Sequence, residues 1–246
     1  MKSSDDDSRS YADKTRRDPN PIKRFIHRDR FNTAVRVFDL LSGGMNHNVL
    51  DFGAGDGELA RLLSSETSGE VVAYEPAPTF QGQLVQNLKT ARRVRVSNTV
   101  DYLPDKGFDV IFCLEVLEHL SDESIEAVLG QFQRLLKPTG YILVSVPHEI
   151  FFPALLKGMF RMLRRRGTFD GSARNIFRAT LGMKVTRPMS KLSDDLPYFF
   201  DHLGFDYRAL EKKWAPGFSV QDRFFRPFSW LGSFVNSEVF YILRKE

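Results

Sequence analysis

The chain has 246 residues, of which 42% are hydrophobic and 27% charged, so disordered, collagen-like and fibrous classes are excluded. The net charge of +4 is too small to indicate nucleic-acid binding by itself, and we do not expect nucleic acid as a partner. A single cysteine, Cys113, excludes an internal disulfide and a multi-cysteine zinc site. At this length one α/β domain can bury a sizeable core. Because the single cysteine indicates no disulfide-stabilised secreted scaffold, we expect a cytoplasmic protein.

The N-terminal residues are polar and rich in Ser, Asp, Lys and Arg. They predict a disordered arm over residues 1–20, followed by a single domain over 21–246. The arm lacks the apolar centre of a signal peptide, and no run in the sequence reaches the roughly 18–20 apolar residues that span a membrane. We therefore expect neither export by that route nor an integral membrane protein.

Strands and helices alternate along most of the chain. Apolar residues at helical spacing predict a first helix near 31–41, which stops at Gly43-Gly44. The predicted strands cover 49–52, 71–74, 94–96, 108–114 and 141–146, and the predicted helices between them cover 58–63, 79–88 and 122–136, with a turn at 137–140. Runs at 218–225 and 238–243 predict a C-terminal hairpin. The pattern predicts an α/β fold with a mostly parallel sheet, helices on both faces and an antiparallel C-terminal hairpin.

A glycine-rich turn follows the first strand. The sequence VLDFGAGDG, residues 49–57, ends the strand in Asp51 and continues into three glycines. Such a turn lets a ligand approach the backbone amides at the next helix N-terminus. The second strand ends in Glu75, where a carboxylate can accept both ribose hydroxyls of a cofactor. Either feature alone also fits an ordinary βα turn, but together they predict a cofactor site.

These segments resemble the class I S-adenosylmethionine-dependent methyltransferases, whose Rossmann-like sheet the predicted fold matches. VLDFGAGDG, VVAYEP, FDVIFCLEVLEHL and LLKPTGYILVSVP correspond in order to the family's first, second, fourth and fifth strand motifs. The resemblance implies S-adenosylmethionine as cofactor and the following cofactor-binding residues: Asp51, Gly53, Ala54, Gly55, Gly57, Glu75, Asn98 and Leu114. The family usually has an acid where Ser97-Asn98 stands, so Asn98 departs from the pattern.

The fourth strand is followed by Glu115, Glu118 and His119, spaced so that they can converge on one side of a strand-to-helix junction. This E-x-x-E-H element resembles the metal-binding element of ubiquinone-biosynthesis O-methyltransferases and of small-RNA 3′-terminal 2′-O-methyltransferases. The second group adds a later histidine, and His202 occupies that place. The resemblance implies a site for Mg²⁺ or another divalent cation.

Other roles for these residues stay open. Glu118 and His119 could act without a metal, with His119 or His148 as a catalytic base, or the cluster could be structural. His148 follows the fifth strand, where substrates enter this fold.

The segment at about 150–200 is longer than a crossover requires and is strongly basic. Between residues 151 and 191 it has ten basic residues and one acid, a net +9. Within 152–166 an apolar helical face made of Phe152, Leu155, Leu156, Met159, Phe160 and Leu163 alternates with basic positions. This amphipathic helix could pack on the domain as a lid, cover a lipid-like substrate, bind a phosphate-bearing substrate or lie on an anionic membrane surface. The last alternative would place the protein peripherally at the inner membrane face.

The sequence therefore predicts an O-methyltransferase acting on a hydroxyl of a small or lipid-linked molecule. The alternatives are an RNA 3′-end 2′-O-methyltransferase and a binding module of the same fold that has lost catalysis. The sequence does not set the oligomeric state.

Overall fold

The computed structural model describes residues 20–43, 46–164, 167–193, 196–214 and 216–246. Residues 1–19 of the predicted arm lie outside this range, as do Gly44 and two basic positions of the predicted helix, Arg165 and Arg166. The chain divides into two compact units, one that runs up to Phe112 and one from Cys113 to Glu246. The single domain over 21–246 stays a prediction.

Seven α-helices and nine strands are present in the described residues. The helices are α1 (Pro21–Ser42), α2 (Glu58–Glu66), α3 (Pro78–Leu88), α4 (Asp122–Leu135), α5 (Phe151–Arg164), α6 (Ala173–Thr180) and α7 (Tyr207–Trp214). The strands are β1 (Val49–Phe52), β2 (Val71–Tyr74), β3 (Val94–Ser97), β4 (Phe108–Leu114), β5 (Leu136–Pro147), β6 (Ser190–Ser193), β7 (Leu196–Tyr198), β8 (Phe218–Arg226) and β9 (Glu238–Lys245). In this part of the chain, no helix is long and apolar enough to cross a membrane.

Seven strands form one sheet in the order β3-β2-β1-β4-β5-β9-β8, and β6 pairs with β7 separately. β1 is parallel to both β2 and β4, and β2 is parallel to β3. β9 pairs antiparallel with both β5 and β8. The predicted α/β class, with a mostly parallel sheet and a C-terminal antiparallel hairpin, is confirmed.

In the first unit, local sequence fixes the ends of α1. Asn20 caps its start by accepting a hydrogen bond from the Ile22 amide at 2.9 Å, and Pro21 occupies the first turn, where no amide donor is needed. Gly43 ends the helix in the left-handed conformation, with φ of 60°. Between these ends, Phe38 is fully buried and its ring lies 6.2 Å from that of Phe112.

One element of the second unit differs from expectation. The turn predicted at 137–140 is strand, because α4 ends at Leu135 and β5 begins at Leu136. Pro138 explains the difference, since the residue before a proline is pushed out of the helical region into extended backbone.

Helix α5 packs with its basic side inward. Lys157 and Arg161 are directed to Glu149, a carboxylate that is only 1% exposed, whereas Leu156, Met159, Phe160 and Leu163 are exposed. Arg161 is thus held by a buried acid, and the membrane contact predicted for 152–166 stays a prediction. On the inward side of the helix, Leu155 packs against a buried apolar cluster that includes Ala154 and Ile176.

The buried acid is fully used by its partners. Arg161 donates to both oxygens of Glu149, at 2.7 and 2.9 Å, and Lys157 donates to one of them at 2.9 Å. Burial alone would raise the pKa of Glu149, but the two cations outweigh it and hold this pKa well below its ordinary value. Arg161 also lies 3.6 Å from Asp170.

We expect Glu149→Gln to lower the free energy of unfolding by about 3–5 kcal/mol, because it leaves two partly buried cations without the buried acid that neutralises them. Urea unfolding measures the change. Glu70→Gln is the matched control, since the Glu70–Arg95 pair is about half exposed and should contribute less than about 1 kcal/mol. Equal effects of the two substitutions would contradict the prediction.

Candidate functional site

The glycine turn predicted from the sequence forms in the first unit. Gly53, Gly55 and Gly57 all adopt positive φ, at 80°, 55° and 82°. The amides of Gly53 and Ala54 both donate to the Tyr74 carbonyl at 2.8 Å. A side chain at position 57 would be strained by its φ and would also press on Leu84 and Leu88 of α3. The turn therefore requires glycine for its own backbone and for close helix packing.

Glu75 ties this turn to the end of β2. One carboxylate oxygen accepts the Gly55 amide and the other accepts the Ala77 amide, each at 2.9 Å. Burial raises the pKa of Glu75, and the two amide bonds oppose that rise. Because a carboxylate oxygen has two acceptor sites, Glu75 retains capacity for further donors such as ribose hydroxyls.

Asp51 is a buried acid with unused hydrogen-bonding capacity. It is 3% exposed, and its Oδ2 has no hydrogen-bond partner within the described residues. Burial together with the nearby acids Glu75 and Asp56 raises the pKa of Asp51 to about 7, against the opposing effect of a hydrogen bond from the Ala60 backbone. A cationic ligand group beside Asp51 would satisfy this oxygen, so the residue fits a cofactor that carries an amino acid ammonium group.

Two other predicted cofactor contacts have less support from the geometry. Asn98 follows β3 directly and is exposed. Leu114 ends β4 and belongs to the second unit, while the other predicted cofactor residues belong to the first. Both contacts stay predictions.

The second unit brings together three of the four predicted metal ligands. Ligand atoms of Glu118, His119 and His202 lie within 4.8 Å of one another. The rings of His119 and His202 are 4.7 Å apart although 83 positions separate them in the chain. Nε2 of His119 lies 3.6 Å from a carboxylate oxygen of Glu118, which is fully buried. We call these three residues the Glu-His-His cluster.

The tautomer of His119 suits a ligand. Its Nδ1 lies 2.7 Å from the Phe199 carbonyl, which can only accept, so the proton is on Nδ1 and the lone pair is on Nε2. Burial and, to a smaller extent, the charge of Arg187 lower the pKa of His119 to about 4, against the opposing effect of that carbonyl. Burial also brings the pKa of His202 well below its ordinary value, so both rings are neutral at pH 7. Neutral imidazoles anchored through their second nitrogen are typical metal ligands.

Arg187 holds together the two chain segments that carry the cluster. Its Nη1 donates to the Glu118 carbonyl at 2.6 Å and lies 3.5 Å from the carbonyl of Asp201. Its guanidinium lies 4.4 Å from the centre of the Phe199 ring. Sequence analysis could not separate Arg187 from the other basic residues of its segment, because its partners are main-chain carbonyls that only the fold brings near.

Two predicted site residues are not part of the cluster. Glu115 is outside the group of mutually close ligand atoms, and it takes a left-handed conformation with φ of 55° directly after β4. His148 has no exposed surface, so the expectation that it lies at an open lip is wrong. Its ring packs against Tyr207 at 5.1 Å and Phe225 at 5.8 Å, which close it off from solvent.

The sequence profile of a methyltransferase domain family matches residues 22–180. The chain therefore belongs to this methyltransferase domain family. It has the class I Rossmann-like fold found in S-adenosylmethionine-dependent methyltransferases, as its structural neighbours indicate.

Curated relatives and a solved structure resemble the chain. A ubiquinone biosynthesis O-methyltransferase of Rhodopseudomonas palustris is 28% identical over 51% of this chain and 50% of its own length. The enzyme of the same name from Pseudomonas aeruginosa is 28% identical over 55% of this chain and 61% of its own length. The chain thus matches between half and three-fifths of these relatives. The N-methyltransferase NodS of Bradyrhizobium japonicum, solved with S-adenosyl-L-homocysteine, has a TM-score of 0.58 at 16% identity and covers 94% of this chain and 90% of its own.

We expect the affinity for S-adenosylhomocysteine to fall several-fold between about pH 7.5 and about pH 6, since a proton on Asp51 must leave before its carboxylate can pair with the ligand ammonium. Calorimetry at both pH values measures this. Asp51→Asn should bind weakly and without the pH dependence. The same substitution should stabilise the ligand-free protein more at pH 8 than at pH 5. The raised pKa of Asp51 means that the folded wild-type protein loses free energy of unfolding as the pH rises and the buried carboxylate becomes charged. A pH-independent affinity in the wild-type protein would contradict the prediction.

Glu75→Ala should weaken the same ligand by about 1.5–3 kcal/mol, because the ribose hydroxyls and two turn amides lose a charged acceptor. Glu66→Ala removes an exposed acid near the end of α2 and should leave the affinity unchanged. Calorimetry with equal affinity for Glu75→Ala and the wild type would remove Glu75 from the cofactor site.

Proposed function

We propose that the protein transfers a methyl group from S-adenosylmethionine to a hydroxyl oxygen on a small or lipid-linked molecule, assisted by a divalent cation at the Glu-His-His cluster. The observation that carries the proposal is the arrangement of Glu118, His119 and His202, with the Nε2 lone pair of His119 facing the carboxylate. The relatives named as ubiquinone biosynthesis O-methyltransferases support a hydroxyl acceptor on a small molecule.

The glycine turn would hold the cofactor, which supplies a methyl group activated by a positively charged sulfur. In this assignment Glu75 accepts the ribose hydroxyls and Asp51 pairs with the ammonium of the methionine part. Gly53, Gly55 and Gly57 leave the backbone open for close approach. The protein's main contribution on this side is orientation, since a displacement at carbon needs the acceptor in line with the breaking bond.

A hydroxyl acceptor must lose its proton to become a good nucleophile, which is the work assigned to the cluster. A divalent cation, when bound, would lower the pKa of such a hydroxyl. Glu118 contributes the negative charge that a cation requires, and His119 and His202 contribute neutral nitrogen donors. One carboxylate with two imidazoles favours Zn²⁺ or Mn²⁺, while Mg²⁺ prefers a shell made entirely of oxygen.

A specific observation also favours a second mechanism, in which His119 acts as the base without a metal. Its Nε2 has a lone pair at neutral pH, and the Phe199 carbonyl would stabilise the proton-loaded ring through Nδ1. Such a base is weak, because the pKa of about 4 limits how readily it takes a proton.

Metal removal separates the two mechanisms. We expect a chelator to abolish methyl transfer, assayed with labelled cofactor on extracted small molecules and lipids, while cofactor binding persists because the glycine turn has no metal ligand. His202→Asn should weaken Zn²⁺ or Mn²⁺ binding, measured by calorimetry, by more than about tenfold. His47→Gln, in the first unit, is the matched control and should bind the metal as the wild type does.

Two outcomes would contradict parts of the proposal. Full turnover by metal-free protein in chelator would replace the cation by His119 as base. Methyl transfer to nitrogen or carbon acceptors only, with the metal still bound, would overturn the hydroxyl acceptor and leave the cluster as a metal site.

A further inference from the structure

The outward side of α5 presents a row of large apolar side chains to solvent. Leu163 is 72% exposed, Met159 52% and Leu156 46%. The opposite side of the helix is fixed by the ion pairs of Lys157 and Arg161 with Glu149. Those contacts set the rotation of the helix, so its apolar row stays at the surface.

The loop between β8 and β9 adds exposed aromatic residues. Trp230 is 81% exposed and Phe234 is 61% exposed. The loop is held by Asn236, which is fully buried, accepts the Phe228 amide at 2.6 Å and donates to the carbonyls of Phe228 and Gly232 at 2.7 and 2.6 Å. A buried amide with three hydrogen bonds keeps the tryptophan displayed in one arrangement.

One ring contact joins the helix and the loop into one surface. Phe152 of α5 stacks on Phe234 with ring centres 4.6 Å apart and planes 9° from parallel. We call this surface the apolar platform; it consists of Phe152, Leu156, Met159, Leu163, Trp230 and Phe234. Clusters of large, exposed apolar side chains often mark surfaces where a soluble protein contacts another molecule.

The charge of the surrounding segment indicates the kind of partner. Residues 151–191 have a net charge of +9, and their single acid, Asp170, is buried. Lys157 and Arg161 are compensated by Glu149 and Asp170, and Arg174 and Lys184 are exposed cations of the same segment. In a symmetric pairing, a second copy of the chain would bring the same positive segment to the contact and be repelled. A partner with an apolar interior and a negatively charged surface fits both the exposed apolar side chains and the positive charge of the segment.

We propose that the apolar platform docks on an anionic lipid bilayer, with Trp230 and the outward side of α5 buried at the boundary between headgroups and acyl chains. An amphipathic helix with a tryptophan beside it and cations nearby matches this interface. The proposal rests on the proposed function in one respect, that a lipid-linked acceptor would be found at such a surface. Since Arg161 is bound to Glu149, apolar burial rather than this arginine supplies the contact.

The chain contains its own probe for this docking. It has two tryptophans, and Trp214 is 1% exposed, so a change of emission on adding lipid reports on Trp230. We expect the full-length protein to co-sediment with vesicles of phosphatidylcholine and phosphatidylglycerol and its emission to move to shorter wavelength. Vesicle binding is measured without methyl transfer, so failure of docking and failure of the proposed reaction are distinct results.

Substitutions at exposed positions test the platform without disturbing the core. Trp230→Ser and Leu163→Ser should each weaken vesicle partitioning by about tenfold, the effect of withdrawing one large apolar side chain from lipid. Tyr102→Ser is the matched control, since Tyr102 is 88% exposed in the first unit, and it should partition as the wild type does.

Three results would overturn the proposal. The first is no co-sedimentation at low salt, and the second is equal partitioning of Trp230→Ser and the wild type. The third is an emission shift without vesicles that accompanies concentration-dependent dimers, which would assign the platform to a second copy of the chain.

Discussion

A buried carboxylate that must be neutralised organises the second unit. The side chain of Glu149 binds Lys157 and Arg161 of α5, and its carbonyl accepts the Gly204 amide at 3.1 Å. Arg161 also forms an ion pair with Asp170, and Asp170 accepts the Leu203 amide at 3.3 Å. Leu203 and Gly204, which directly follow His202 in the chain, are therefore anchored directly or through Arg161 to the same acid that sets the rotation of α5. An uncompensated charge in this interior would cost several kcal/mol, so the arrangement is strongly enforced.

This constraint explains why α5 does not follow the usual rule for amphipathic helices. The large apolar residues of such a helix normally face the core. In α5 the small residues Ala154 and Gly158 are on the buried side. Gly158 admits Ile176 of α6 so closely that a side chain there would collide with it. The inward side thus combines small residues, Leu155 and two satisfied cations, and Leu156, Met159 and Leu163 remain exposed. This exposed apolar row is the basis of the proposed docking surface.

The first unit also contains two buried acids, Glu75 and Asp51, which differ in how far their hydrogen-bonding capacity is used. Glu75 accepts the Gly55 amide of the glycine turn and the Ala77 amide, whereas Asp51 retains an oxygen without a hydrogen bond within the described residues and has a raised pKa. Glu75 thus pre-forms the turn, and Asp51 leaves part of its interaction energy for a ligand. In the second unit, the Glu-His-His cluster is likewise positioned by hydrogen bonds that leave its ligand atoms unused. The Phe199 carbonyl binds Nδ1 of His119, and Arg187 binds the Glu118 carbonyl.

The alternating strands and helices, the glycine turn and the C-terminal hairpin could be predicted from local sequence, because they depend on periodicity and on backbone conformations that particular residues favour. The sequence also singled out Glu118, His119 and His202 by resemblance, although not Arg187, whose partners are carbonyls distant in the chain. The inward side of α5 and the enclosure of His148 could not be predicted, because each depends on residues outside the element concerned. Glu149 sets the rotation of the helix, and Tyr207 and Phe225 cover the imidazole, and the periodicity of the sequence carries no information about these contacts.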